Sequence, residues 1–388
     1  VSPTRTPAQL VWLLAVGLLA TAARSEPAPE GPRADAACAP ADRIAFRGLT
    51  ARLENDLFAD TDRNYTNGVA LTAVSHDIAG TLRTECLPAP VRLHAQLIGW
   101  LNPDFWADGS RRAHTQNVVV KVGQSMYTPA DPLRTDLIAN DRPYAGLLYV
   151  GMSWNRRSHD AAGATERLDT REITIGVIGP WSLAEQAQNV VHDAIGVERF
   201  LGWDHQLKNE PALQLAVDRK FKAYRGPGAI TPGWSSDAIR SVGLRLGNIE
   251  TSAALAIEGR FGWNLPNDFG SYPIRPGAEN RPPSAAAERR RGAGAVAAEA
   301  PSGGVHVFAT LEAELVAYDF SLDGNLLRRS HDVRRRPWVA QAAVGVSAQG
   351  RIAGHGVKLA VMRVFRTREF EQQASRHAYG SVALSVEY

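Results

Sequence analysis

The sequence predicts an all-β protein, a transmembrane antiparallel β-barrel of about twelve strands with a short helix in an outward loop. Three observations predict it. Apolar and polar residues alternate with period two in segment after segment, as they do in strands that show different surroundings on their two faces. The chain closes on one such segment, "HAYGSVALSVEY", ending in an aromatic ring suited to a membrane interface. After the N-terminal stretch, Gly, Pro or a charge interrupts every apolar run before it reaches the length of a membrane-spanning helix.

Taken in order, the chain starts with a lone Arg5 and an apolar run from Leu10 to Ala23. Ala20-Thr21-Ala22 then offers a small-x-small cleavage site ahead of a Pro-rich polar stretch. Residues 1–22 read as a secretory signal, 23–42 as a periplasmic lead-in and 43–388 as the barrel. A retained membrane anchor is the competing reading, and the run is short for it. Strands are expected near 44–56, 67–76, 115–127, 145–156, 169–178, 211–224, 237–247, 251–263, 304–318, 335–347, 356–367 and 377–388. In "VVVKVGQSMY", Val118, Val120, Val122 and Met126 share one face and Lys121, Gly123 and Ser125 the other. Ile173, Ile175 and Val177 oppose Glu172 and Thr174 in the same way, and Leu213, Leu215 and Val217 oppose Gln214, Asp218 and Lys220. A soluble β-sandwich is the alternative. The small apolar side chains (Ala, Gly, Val) and the terminal aromatic favour the barrel.

Strand parity assigns the connections. With the first strand running outward, the tip at 57–66, the segment 127–144 and the segment 179–210 emerge at one mouth. Cys38 and Cys86 fall at the other, where a disulfide is geometrically open and two free thiols remain the alternative. Residues 87–103 read as a short helix at that second mouth. Segment 264–303, rich in Ala, Gly, Pro and Arg, reads as a loop without a packed core; Arg289, Arg290 and Arg291 are solvated there or meet anionic lipid. With 43 basic and 40 acidic residues the chain is too balanced for bulk electrostatics to argue nucleic-acid binding.

Two stretches carry candidate chemistry. "LENDLFADTDRNYTNGVAL" (53–71) crowds Glu54, Asp56, Asp60 and Asp62 with asparagines and Thr66 into one hairpin tip. Helix formers over 183–195 put Gln188 and His192 four apart on one face, with Gly196 ending the helix and Glu198 following. A neutral imidazole can take a proton from water near pH 7. Carboxylate, hydroxyl and carbonyl oxygens suit Ca²⁺, which polarises an ester carbonyl. Together they make a water-activating ester hydrolase; a lone structural histidine and a merely solvated acidic tip are the plain readings.

The stretches "ENDLFADTDRNYTNG" (54–68), "YTPADP" with "NDRPYAGLLYVG" (140–151), "IGVIGP" (175–180), "QNVVHDAIGVERFLGWDHQLKNEP" (188–211) and the aromatic C-terminus resemble the outer-membrane lipid A 3'-O-deacylase family. The resemblance implies an outer-membrane barrel, its site toward the outer leaflet, that removes the 3'-linked acyl chain of lipid A with Ca²⁺. It carries catalytic roles onto His192, Gln188, Asn55, Asp56 and Thr66, and metal ligation onto Glu198, Asp56 and Thr66. The sequence departs from the family pattern twice: Arg134 is the nearest basic residue where the family can use a Lys, and Phe200 lacks the hydroxyl some members have. A phospholipase, or a barrel acting as pore or adhesin, is the alternative function.

Overall fold

The computed structural model describes residues 44–56, 64–79, 86–102, 112–159, 164–223, 230–270 and 303–388. The leader and lead-in, Cys38, the acidic tip at 57–63 and residues 271–302 of the 264–303 loop lie outside the described residues, and so do Asp60, Asp62 and Arg289 to Arg291.

Twelve antiparallel strands close into a barrel. They are β1 (Phe46–Asn55), β2 (Asn64–Ser75), β3 (Arg112–Thr128), β4 (Ala145–His159), β5 (Thr165–Ile178) and β6 (Glu210–Ala223), then β7 (Ile230–Gly247), β8 (Glu250–Pro266), β9 (Gly304–Asp319), β10 (Trp338–Ile352), β11 (His355–Arg366) and β12 (His377–Glu387). A two-residue piece, Ile78–Ala79, continues the β2 edge along β3. Each strand pairs with its neighbours in sequence, and β1 closes the ring by pairing with β2 through Asn55↔Asn67 and with β12 through Leu53↔Val382. Closure leaves no open edge of unpaired backbone groups. All twelve strands expected from the alternation are present.

The two faces differ as the period-two pattern requires. Outward positions such as Leu244, Leu255, Val307 and Leu311 are exposed. Inward positions are buried and largely charged. Lys121 Nζ stands 2.9 Å from Glu172, which also accepts hydrogen bonds from Ser153 (2.5 Å) and Thr174 (2.8 Å). Arg260 joins Asp237 at 2.6 Å and also Asp268, while Arg245 reaches Glu314 at 2.8 Å. Buried charges persist only when paired and hydrogen-bonded, so the lumen is a filled interior.

The β10–β11 hairpin is tight. Ala353 (φ 50°) and Gly354 (φ 85°) join β10 to β11 with both central residues left-handed, the conformation a two-residue hairpin turn demands. Helix α1 (Ala89–Leu101) follows Pro88 and lays Val91, Ala95 and Ile98, with Leu87 just ahead of it, against Val118 and Trp154. These two share the outward parity of Val120 and Val122, so α1 lies on the outer wall at one rim. Cys86, just ahead of it, is disulfide-bonded, and the only other cysteine in the chain is Cys38. No described helix is long and apolar enough to cross a membrane.

Candidate active site

At the opposite rim a row of outward positions crosses the wall. Asn55 pairs with Asn67, Asn67 with Met126, and Met126 with Gly146. The chain leaving β5 turns back over this row through a single turn at Pro180–Ser182 and then forms α2 (Ala184–Ile195). A Cβ on Gly146 would stand 2.1 Å from Ser182 Oγ and 2.5 Å from Ala184 Cβ, so glycine is what lets the helix start lie on the wall. Gln124 Nε2 donates to Ser182 O at 2.6 Å and the Gly179 amide to Gly146 O at 3.0 Å, tying the turn down. Leu183, at φ 56°, carries the chain through a left-handed step into α2. The helix ends at Gly196, whose φ of 72° needs no Cβ to be accommodated.

The helix therefore packs on the outside of the barrel. Ala184 joins Met126, Tyr144, Phe200 and Trp203 in one buried cluster. The loop 196–209 is stitched to the loop between β3 and β4, since the Leu201 amide donates to Pro132 O and the Leu207 amide to Tyr144 O, both at 2.9 Å.

His192 sits inside this unit, only 4% exposed. Its Nδ1 is 2.6 Å from the backbone carbonyl oxygen of Glu198. A carbonyl can only accept, so Nδ1 carries a proton, and in the neutral tautomer that fits this bond the lone pair lies on Nε2. Phe200 meets the imidazole edge-to-face, with centroids 5.8 Å apart, and fixes its plane. Gln188, 2% exposed, accepts a 2.8 Å hydrogen bond from the Trp203 indole on Oε1. Its Nε2 has no partner among the described residues, leaving one buried donor for a ligand.

The structure thus gathers His192, Gln188 and the Glu198 backbone in one helix-loop unit. The Glu198 side chain is exposed, and the imidazole is held by the Glu198 carbonyl, whereas Gln188 bonds to Trp203. Asn55 and the fully buried Asp56 stand at the end of the same row, two strand spacings, or about 10 Å, from Met126 beneath the helix. Thr66 lies in β2 beside them, its side chain outside the described residues. Arg134 is mostly exposed and bonded to Asp136 at 2.5 Å, and that bond holds the Asp136 carboxyl below the usual carboxylate range. Burial pushes the Tyr144 phenol up to about 12, so it remains protonated beside Trp203.

Sequence reasoning passed over Trp203 and Gly146 and treated Phe200 only as a missing hydroxyl. "RFLGWDH" did offer a signal, two aromatics around a glycine directly after the helix. Gly202 is indeed pressed so closely on the Tyr144 ring that a Cβ would stand 2.6 Å from it.

As to a metal, the oxygen chemistry of Asp56, Glu198 and Thr66 suits Ca²⁺. Among the described residues no three His, Cys, Asp or Glu side chains converge closely enough to hold an ion, so further ligands would come from backbone, hydroxyl or water oxygens.

A barrel that is apolar outside, charged within and overlaid on its outer wall by a histidine-bearing helix is an integral barrel protein with a candidate polar site on that wall. Comparison with known proteins narrows this: the family model "Outer membrane protein LpxR" matches residues 11–388, and the chain belongs to that family of the outer membrane. The sequence-level resemblance is thereby borne out. Among solved structures, LpxR from Salmonella typhimurium aligns with a TM-score of 0.57 at 18% identity, covering 88% of this chain and 100% of that one. The β-domain of the Bordetella autotransporter BrkA follows with a TM-score of 0.42 at 7% identity, covering 88% of this chain and 99% of that one. Among curated proteins nothing matches.

Proposed function

We propose that the protein is an ester hydrolase of the outer membrane that removes the 3'-O-linked acyl chain of lipid A, with the α2 rim facing the outer leaflet. The single observation that carries the chemistry is His192: a buried imidazole whose Nδ1 proton is committed to the Glu198 carbonyl, leaving Nε2 as a base beside a lipid-facing wall. Family membership supports the substrate class.

In this reading, His192 Nε2 takes a proton from a water as its oxygen attacks the ester carbonyl. The tetrahedral oxyanion accepts hydrogen bonds from the Gln188 Nε2 amide and from Asn55. On collapse, the C–O bond to the sugar breaks, and the departing 3' alkoxide takes the proton back from His192. A free fatty acid and a 3' hydroxyl result. Trp203 holds the Gln188 amide by its oxygen and so keeps its nitrogen available. A calcium ion bound by Glu198, Asp56 and Thr66 would supply positive charge for the developing oxyanion. Because the helix lies on the outer wall, acyl chains can stay in the bilayer while the sugar meets the loops.

The test is the mass spectrum of lipid A from cells expressing wild-type or His192→Ala protein, with Ca²⁺ supplied or chelated. Loss of one 3'-linked chain with the wild type alone supports the proposal. Unchanged lipid A alongside cleaved phospholipid would point to a phospholipase, and wild-type release by the variant would refute the base.

A further inference from the structure

On the far side of the barrel the outer wall is hollow. A concavity of about 940 Å³ spans β6 to β11, lined by the outward side chains of Phe221, Val242, Leu255, Leu311 and Phe365. At the 4.8 Å spacing of paired strands it is about 24 Å across, room for several acyl chains side by side. A smaller hollow of about 360 Å³ adjoins it at the α2 rim and shares Ala313, Ala340, Thr367 and Arg376 with it. Arg336, Arg368 and Trp338 complete that rim, and Trp338 is 66% exposed, the position of an aromatic at a membrane interface.

The arginines are what make the hollow more than a dent. Among the described residues, no carboxylate stands within salt-bridge distance of Arg336, Arg368 or Arg376, although the neighbouring Arg334, Arg335 and Arg366 are all paired, with Glu371, Asp323 and Glu314. Arg240, outward on β7 and lining the large hollow, likewise has no acidic partner there. An unpaired guanidinium on a lipid-facing wall is costly in hydrocarbon and is stabilised by an anion at headgroup depth. Guanidinium also suits phosphate, which it meets with two parallel hydrogen bonds.

We infer that this hollow is a second, non-catalytic lipid site that holds a phosphorylated glycolipid with several acyl chains, its phosphates on Arg336, Arg368 and Arg376 and its chains on the Val242–Phe365 wall. The inference rests on the proposed orientation, in which the α2 rim faces the leaflet that supplies such a lipid. Helix α2 packs over β3 and β4, and β9 and β10 are six strands round the ring, so the two sites do not share residues.

Native mass spectrometry of the full chain in detergent tests it, with purified hexa-acylated lipid A as probe in a His192→Ala background and EDTA present. The expected stoichiometry is two lipids per barrel, falling to one in Arg336→Ala/Arg368→Ala/Arg376→Ala. Arg336 Nε also donates to Phe370 O, so Arg368→Ala/Arg376→Ala, which loses no hydrogen bond among the described residues, serves as the second variant. Heat-modifiable gel migration reports folding of both. Unchanged lipid A stoichiometry in both folded variants would overturn the inference, as would equal retention of phosphatidylglycerol. Hydrolysis reads the proposed function and stoichiometry reads the second site, so the two can fail separately.

Discussion

Gly146→Ala tests the placement of α2, the proposed catalytic helix, directly. The new methyl would meet two atoms. Ser182 Oγ, at 2.1 Å, can rotate away, whereas Ala184 Cβ, at 2.5 Å, is fixed to the helix backbone. Carbon atoms settle about 3.5–4.0 Å apart, so the start of α2 must retreat from the wall by about 1 Å. A misplacement of that size costs about 10²-fold in rate, equivalent to about 2.7 kcal/mol of barrier. The assay is acyl release from lipid A in mixed micelles, with folded barrel quantified by heat-modifiable migration. Gly259→Ala, where an added Cβ meets nothing within 4 Å, is the control and should keep its rate. Ala184→Gly added to Gly146→Ala removes the obstructing methyl and should restore most of the activity. Folded Gly146→Ala protein working within threefold of wild type would show that catalysis does not depend on α2 seated at this point.

Other outcomes follow from single contacts. Glu198→Ala keeps the carbonyl that holds His192, so its activity loss should be reversed in part by raised Ca²⁺, and a loss indifferent to Ca²⁺ would remove the carboxylate from the metal set. Gln188→Leu strands the buried Trp203 indole and takes away the Nε2 donor; kcat should drop by about 10²-fold or more, with about 1–3 kcal/mol lost from local stability, read by steady-state kinetics and by protease sensitivity of the 196–209 loop. Asp193→Ala breaks only the exposed pair with Arg199 and should leave rate and unfolding unchanged, in contrast to His192→Ala one residue away. Lys121→Met leaves Glu172 buried without its cation and should cost about 3–5 kcal/mol in urea unfolding of the barrel.

The barrel was legible because a wall between lipid and a charged interior writes itself in period two. The alternation alone assigns Lys121, Gly123 and Ser125 to one face, and Gly196 marks the end of α2. The side of the wall on which α2 lies was not legible. It depends on one missing Cβ at Gly146, and a single glycine in "YAGLLY" has no periodicity to betray its role. The partner of His192 was equally hidden, since every residue carries a carbonyl and only the fold selects that of Glu198. Gln188 stood out by its helical spacing, but its bond to Trp203 joins positions in different elements, which spacing cannot reveal.

The extramural position of α2 also fixes how the protein experiences concentration. On the proposed function, with the described lumen lined by ion pairs, an amphiphilic substrate reaches α2 by lateral diffusion within the leaflet. Encounter is then set by mole fraction in the surface and not by molarity in the surrounding water. Adding inert lipid at constant bulk substrate would then slow turnover, as dilution slows a soluble enzyme.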